Sequence, residues 1–223
     1  MNKLLSFVGG AALCMGLCMP QASAEIPVAV GAKVGTPGIG GEITVGLNDN
    51  FNFRTGVNAF SYEYNGTESD VEYDFDLKLL SFPLLVDWHP FYGSGFRLTA
   101  GAYINSNELE STAVPTGTYD IGGVDYDAGD VGSLTGDVDF NSVAPFLGIG
   151  WGNAVGEDTR LSLALDLGVM FQGSPDVDLD ANGALASDDD FLANLKKEEE
   201  SLEDDIEIFK YYPVVMLGLT YKF

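Results

Sequence analysis

The sequence predicts an all-β protein: an eight-stranded antiparallel β-barrel that crosses a membrane with strands. Three observations predict it. Apolar and small-or-polar residues alternate with period two through eight separate segments, which puts one apolar face on each extended strand. No stretch after residue 24 approaches the eighteen consecutive apolar residues of a membrane helix. The composition is 46% hydrophobic with 28 glycines and 12% aromatics, which suits one barrel of about 200 residues.

The chain opens with a leader. Lys3 precedes an apolar run over 4–19, followed by Pro20 and Ala22-Ser23-Ala24. A basic start, a short apolar core and small residues at a cleavage point define a secretory signal peptide at 1–24. The barrel then occupies 25–223. Both cysteines, Cys14 and Cys18, fall inside the leader, so the expected mature chain has no thiol chemistry.

The eight predicted strands run roughly over 26–36, 40–48, 51–63, 72–88, 96–111, 140–153, 160–172 and 207–223. Short turns follow the second strand (Asn48-Asp49-Asn50), the fourth (Phe91-Tyr92-Gly93-Ser94-Gly95) and the sixth (Gly156-Glu157-Asp158). The other connections are longer, above all 112–139 and 173–206. Short turns at one end and long loops at the other are the asymmetry of membrane barrels, with the short turns periplasmic. The outward face is readable as stripes: Leu161, Leu163, Leu165, Leu167, Val169 and Phe171; Val143, Pro145, Leu147, Ile149 and Trp151; Phe96, Leu98, Ala100, Ala102 and Ile104. Trp88, Trp151, Tyr211 and Tyr212 sit near strand ends, where aromatic girdles lie. Pro83, Pro145 and Pro213 fall within predicted strands and should mark bulges or ladder ends, since proline has no N–H to donate.

The last strand carries the most specific signal. Val215, Leu217, Leu219, Tyr221 and Phe223 alternate with Val214, Met216, Gly218, Thr220 and Lys222, and the chain ends on the aromatic ring. This resembles the closing strand of small eight-stranded Gram-negative outer-membrane β-barrels of the OmpA, OmpX and OmpW kind. The resemblance implies an outer-membrane location and a lipopolysaccharide neighbourhood. It also implies that Tyr221 and Phe223 form part of a signal read by the barrel assembly machinery, and it is compatible with a monomer.

With apolar residues facing lipid, the same register turns most strand charges inward: Lys33, Glu42, Arg54, Lys78, Asp87, Arg97, Asp166 and Lys222. An eight-stranded barrel is just wide enough for side chains to fill, so these charges are expected to pair, with Asp87 bridging Arg54 or Arg97. The chain holds 34 acidic against 10 basic residues, which leaves no basic stripe for nucleic acid.

One segment has metal-ligand spacing. Asp178, Asp180, Asn182 and Asp189 fall at the first, third, fifth and twelfth places of an EF-hand-like loop within 176–189, with Gly183 at the sixth. It departs from that pattern in ending on Asp rather than Glu and in following a strand. From Ser187 the periodicity turns helical, with Ser187 as the capping residue and Leu192, Leu195, Leu202 and Ile206 on one face. The expectation is a short helix leaning on the barrel rim within a long acidic loop.

His89 is the single histidine. It falls at the short-turn end, away from any nucleophile, so the sequence offers no catalytic constellation. The leading expectation is a non-enzymatic barrel with a structural or surface-interaction role, its acidic loops suited to a cation-dependent contact. A narrow channel for small or apolar solutes is the alternative, and a lipid-modifying enzyme the third reading.

Overall fold

The computed structural model describes residues 26–68, 71–114, 116–156 and 160–223. The predicted leader lies outside them, as do Glu157 and Asp158 of the third short turn. In chain order the strands are β1 (Val28–Gly35), β2 (Gly38–Gly46), β3 (Phe51–Glu68), β4 (Val71–Trp88), β5 (Phe96–Asn105), β6 (Glu108–Val114), β7 (Thr118–Ile121) and β8 (Val124–Asp127). After the short helix α1 (Ala128–Val131) come β9 (Leu134–Asp139), β10 (Val143–Trp151), β11 (Leu161–Phe171) and β12 (Asp176–Ala181). Helix α2 (Asp189–Asp205) and a 3₁₀ turn (Glu207–Lys210) precede β13 (Tyr211–Lys222). No helix among the described residues is long and apolar enough to cross a membrane; the crossing elements are strands.

Eight strands close the barrel in the order β1-β2-β3-β4-β5-β10-β11-β13, with β13 returning to β1, and every pairing is antiparallel. The β1–β2 hairpin turns on Thr36-Pro37 alone, and Gly38 beyond it takes φ 105°, a left-handed conformation natural only to glycine. Each strand proline lies where a ladder is broken. The β3–β4 register omits the pairs that Pro83 and Phe82 would make. Pro145 precedes the first β10–β11 pair, and Pro213 lies beyond the last β1–β13 pair. The predicted outward stripes do face outward: Leu147, Trp151, Leu161, Leu163 and Leu217 are all more than half exposed.

The start of β1, the end of β13, the turns after β2 and β4, and the facing ends of β10 and β11 share one rim, the terminal rim. At the other rim the wall is uneven, and here the structure departs from the expected long loops. Part of the wall simply continues upward. The pairing of β4 with β5 (Ser81↔Asn105) resumes in the same register with β6 (Lys78↔Glu108), across a break at Ser106-Asn107. In the same way β10 above Val143 is continued by β9. The predicted strand 96–111 is thus β5 plus β6, and the loop 112–139 contains three strands and a helical turn. The result is a collar of β3, β4, β6, β9 and β12 standing above a low wall of β1, β2 and β13.

Helix α2 packs against this collar rather than the barrel rim. Val177 and Leu179 of β12, Phe191 and Leu195 of α2, and Ile121 and Val131 form a second buried core. Phe191, not the 44% exposed Leu192, is therefore the inward residue. Asp188, not Ser187, caps the helix: its Oδ1 accepts from Phe191 N–H at 2.9 Å. Helix α2 also closes the edge of β12. Glu203 Oε1 accepts from Val177 N–H (3.2 Å) and Glu199 Oε1 from Leu179 N–H (3.0 Å), so an edge that would otherwise pair with another chain is satisfied. Replacing Glu199 and Glu203 by Ala should open this edge. Hydrogen exchange at Val177 and Leu179 is expected to accelerate by the equivalent of ~1–2 kcal/mol per lost bond, with barrel-strand amides unchanged.

Candidate functional site

The barrel interior is built in layers, and the layer nearer the terminal rim is ionic. Strand parity brings together one residue each from β1, β2, β3, β4, β5 and β11: Lys33, Glu42, Arg54, Asp87, Arg97 and Asp166, each at most 7% exposed. Three cations meet three anions, so the cluster is neutral. Asp166 touches every cation: Lys33 Nζ at 2.9 Å, Arg54 Nη2 at 3.1 Å and Arg97 Nη2 at 2.5 Å. Arg54 touches every anion: Glu42 at 3.1 Å, Asp87 at 2.9 Å through Nη2, and Asp166. Its Nε also lies 2.6 Å from Asp87 Oδ2, an ion-pair contact whose angle is not that of a hydrogen bond. Lys33 bonds Glu42 at 2.6 Å, Thr99 donates to Asp87 at 2.7 Å, and Arg97 also donates to the carbonyl of Gly152. Six of the eight charges assigned inward thus meet in one network. The other two lie elsewhere. Lys78 stands on the outer side of the collar, bonded to Glu110 (2.8 Å) and Asp76 (3.2 Å), because its parity is that of outward Leu80 and Phe82. Lys222 donates to the carbonyl of Gly156 at the terminal rim.

The next layer is apolar. Leu85, Tyr103, Ala144, Phe146, Met170, Val214 and Met216 fill it. Phe146 lies flat over the wall: a Cβ at Gly168 would come 2.5 Å from its Cζ, so only glycine leaves room for the ring there. Met216 and Val214 sit on the less apolar face of the last strand, and that was the available signal. Beyond this layer, Asn107 donates to Gln172 Oε1 (3.4 Å) and Gln172 to the carbonyl of Phe209 (3.0 Å). A void of about 10 Å³ beside the ionic cluster has room for roughly one water.

At the terminal rim an open recess of about 730 Å³ is lined by Leu47, Asn52, His89, Phe91 and Tyr92 among others. Asn52 Nδ2 donates to His89 Nε2 at 3.1 Å, which puts the imidazole proton on Nδ1. Burial holds this imidazole below its ordinary value of 6.5 against the opposing pull of Asp87, with Arg97 reinforcing the burial.

The collar has one apolar face and one acidic face. Its acidic face continues the outer, lipid-side parity of β4: Leu80 is followed by Lys78, Asp76 and Asp74. The register aligns the carboxylates in rows, Asp76–Glu110–Asp137–Asp178 in one and Glu108–Asp139–Asp176 in the next. Burial, then Glu110, Asp139, Asp180 and Asp178 in turn, push the Asp137 carboxyl up from its ordinary 3.8. Burial and Glu110 do the same to Glu108. The EF-hand-like spacing is part of this face. Asp178 and Asp180 lie along strand β12, Asn182 Oδ1 accepts from Ser133 N–H at 2.8 Å, and Asp189 opens α2. Extended residues two apart are separated along the strand, so these groups do not fold into a loop. No group of three or more potential metal-ligating His, Cys, Asp or Glu side chains gathers among the described residues. Tyr221 lies outward on β13, and its ring meets Phe223 edge-on at 5.5 Å.

A closed eight-stranded antiparallel barrel, apolar outside and filled inside, defines a small outer-membrane β-barrel protein. The chain is similar to Acinetobacter baumannii CarO2, with 25% identity and a TM-score of 0.59 over 89% of this chain and 99% of that one. It is likewise similar to Acinetobacter baumannii CarO, at 24% identity and a TM-score of 0.58 over 89% and 98%. A major outer membrane protein from Thermus thermophilus overlaps more loosely, at 15% identity and a TM-score of 0.42 over 90% of this chain and 100% of that one. No protein-family model and no curated protein matches the chain.

The ionic layer makes two predictions. Asp166→Ala leaves three buried cations facing two anions and should cost about 3–5 kcal/mol in urea titration of the refolded barrel. Adding Lys33→Met restores the balance and should recover a measurable part of the loss. At the rim, the neutral form of His89 stabilises the fold fully above pH 6.5. That contribution falls away as pH drops below 6.5 toward the depressed folded value. A His89→Gln variant should lose this component of the acid sensitivity in the same titration.

Proposed function

We propose that this protein is a sealed, non-enzymatic outer-membrane barrel that works through its surface. The collar faces outward and meets the phosphate-rich lipopolysaccharide layer through bridging divalent cations, while the terminal rim faces the periplasm. The observation that carries the reading is the height at which the outer wall changes character. On β4 the apolar stripe Trp88–Val86–Leu84–Phe82–Leu80 gives way to Lys78, Asp76 and Asp74; on β5 and β6, Ile104 gives way to Glu108 and Glu110. The change falls in neighbouring rows of one continuous sheet, so carboxylates stand where the apolar band ends and headgroups begin. Like charges directly opposite on a sheet repel, and phosphates beside them add to the repulsion. Hard divalent cations with carboxylate and phosphate oxygens relieve both. Against a narrow solute channel stand the neutral ionic cluster and the apolar layer, which occupy the cross-section of the barrel.

The test is hydrogen exchange of β6, β9 and β12 in bilayers containing lipopolysaccharide, with millimolar Ca²⁺ and then with EDTA. Protection should rise with cation and fall with chelator; equal protection in both conditions overturns the proposal. Asp137→Asn should weaken the Ca²⁺ response by removing the centre of the longer row. Because the Asp137 pKa is raised above 3.8, its contribution to stability falls as pH rises through the raised value. At neutral pH without cation, the variant should therefore be more stable in the collar than the parent. Planar-bilayer recordings should be silent with and without Ca²⁺.

A further inference from the structure

The collar has two vertical edges, and they are treated differently. Helix α2 closes the β12 edge with Glu199 and Glu203. The other edge belongs to β3. Its pairing with β2 ends at Ile39↔Ala59, and above that level β3 has β4 on one side and no strand on the other among the described residues. The direction of the free main-chain groups follows from the register. The Asn50 carbonyl accepts from His89 N–H toward β4, and the Phe51 carbonyl accepts from Leu47 N–H toward β2. Even residues of β3 therefore bond β4, and Ser61, Glu63 and Asn65 direct N–H and C=O to the open side. The gap at Pro83 agrees, since an odd residue of β4 turns toward β3 and proline brings no N–H.

The two faces flanking this edge differ in chemistry. Phe60, Tyr62 and Tyr64 lie on the inner face and are 45%, 51% and 54% exposed. Glu63 lies on the outer face, directly opposite Asp76 of β4. A strand added to the edge would set alternate side chains beside the aromatic face and beside the carboxylate face. We infer that the upper edge of β3 is a docking site for an extended peptide segment of alternating apolar and basic residues, bound by strand addition. The main-chain groups supply the pairing, the tyrosines the apolar contact. The charge of −24 on the chain draws a cationic partner and disfavours an acidic one. A second copy of this chain lacks that complementarity, because its own β3 edge carries the same Glu63. The inference does not depend on cations bridging the outer face.

The test uses the refolded full chain in zwitterionic micelles without divalent cations. The probe is a fluorescein-labelled nine-residue peptide of alternating lysine and valine. Binding by anisotropy should be accompanied by slowed hydrogen exchange at the amides of Ser61, Glu63 and Asn65. A peptide with lysines and valines in separate blocks, and Tyr62→Ser in the protein, should each bind about tenfold more weakly; a glutamate–valine peptide should not bind. Ser61→Pro removes an edge-directed N–H while leaving the β3–β4 ladder intact, and should abolish binding. Equal affinity for the alternating and block peptides, or unchanged binding to Ser61→Pro, overturns the inference. So does an unprotected edge in the parent, which decides the matter even if Ser61→Pro fails to fold. Edge protection that rises with protein concentration alone assigns the site to a second copy and equally overturns it.

Discussion

The Arg54–Asp166 contact is the constraint on which the rest of this barrel depends. Eight strands enclose a space that side chains must fill, and charges placed there lose water on every side. Asp166 reaches all three interior cations and Arg54 all three anions, so each charge of the layer is answered by another. The strands that contribute them are distributed around the wall, and the network ties β1, β2, β3, β4, β5 and β11 across the lumen. The apolar layer above it needs no such pairing. It is held by packing, with Phe146 seated over glycines of the opposite ladder positions.

The second organising fact is that the wall does not stop where its apolar outer band does. Strand β4 runs on into the collar, and β6 and β9 continue β5 and β10 there in the same register, so the alternation that separates lipid from lumen persists above it. The lumen-side parity becomes the apolar face, which α2 covers at β12 and leaves exposed at β3, and the lipid-side parity becomes the carboxylate face. The proposed function rests on that inheritance. A surface patterned by period two to meet hydrocarbon changes only its residue type, not its geometry, where it leaves the bilayer.

Much of this was legible in the sequence, and the failures have a common cause. The eight barrel strands and their outward stripes followed from alternation, and the interior charges from the opposite parity. The collar was missed although its signal was present: Asp74-Phe-Asp76, Glu108-Leu-Glu110, Asp137-Val-Asp139 and Asp176-Val-Asp178-Leu-Asp180 are all period-two patterns. Acidic alternation looks like loop composition, and in the last of these it also satisfies a calcium-loop spacing. Strand propensity of Asp is poor, so only pairing with β9 makes a strand of 176–181. Lys78 was placed inside the barrel for a related reason: its parity is outward, but a lysine on an outward position is admissible only above the membrane band.

The sequence alone determined what each strand must present to lipid, because alternation is a local property that the pleat converts directly into two faces. By the same alternation it turned Lys33, Glu42, Arg54, Asp87, Arg97 and Asp166 inward, but not Lys78, whose place depends on the height of the wall. The tertiary structure decided which of those charges meet, where the wall ends, and which edge is left open. These depend on shear between strands and on which segments far apart in the chain lie side by side. β6, β9 and β12 come from separate parts of the chain and lie side by side only in the tertiary fold.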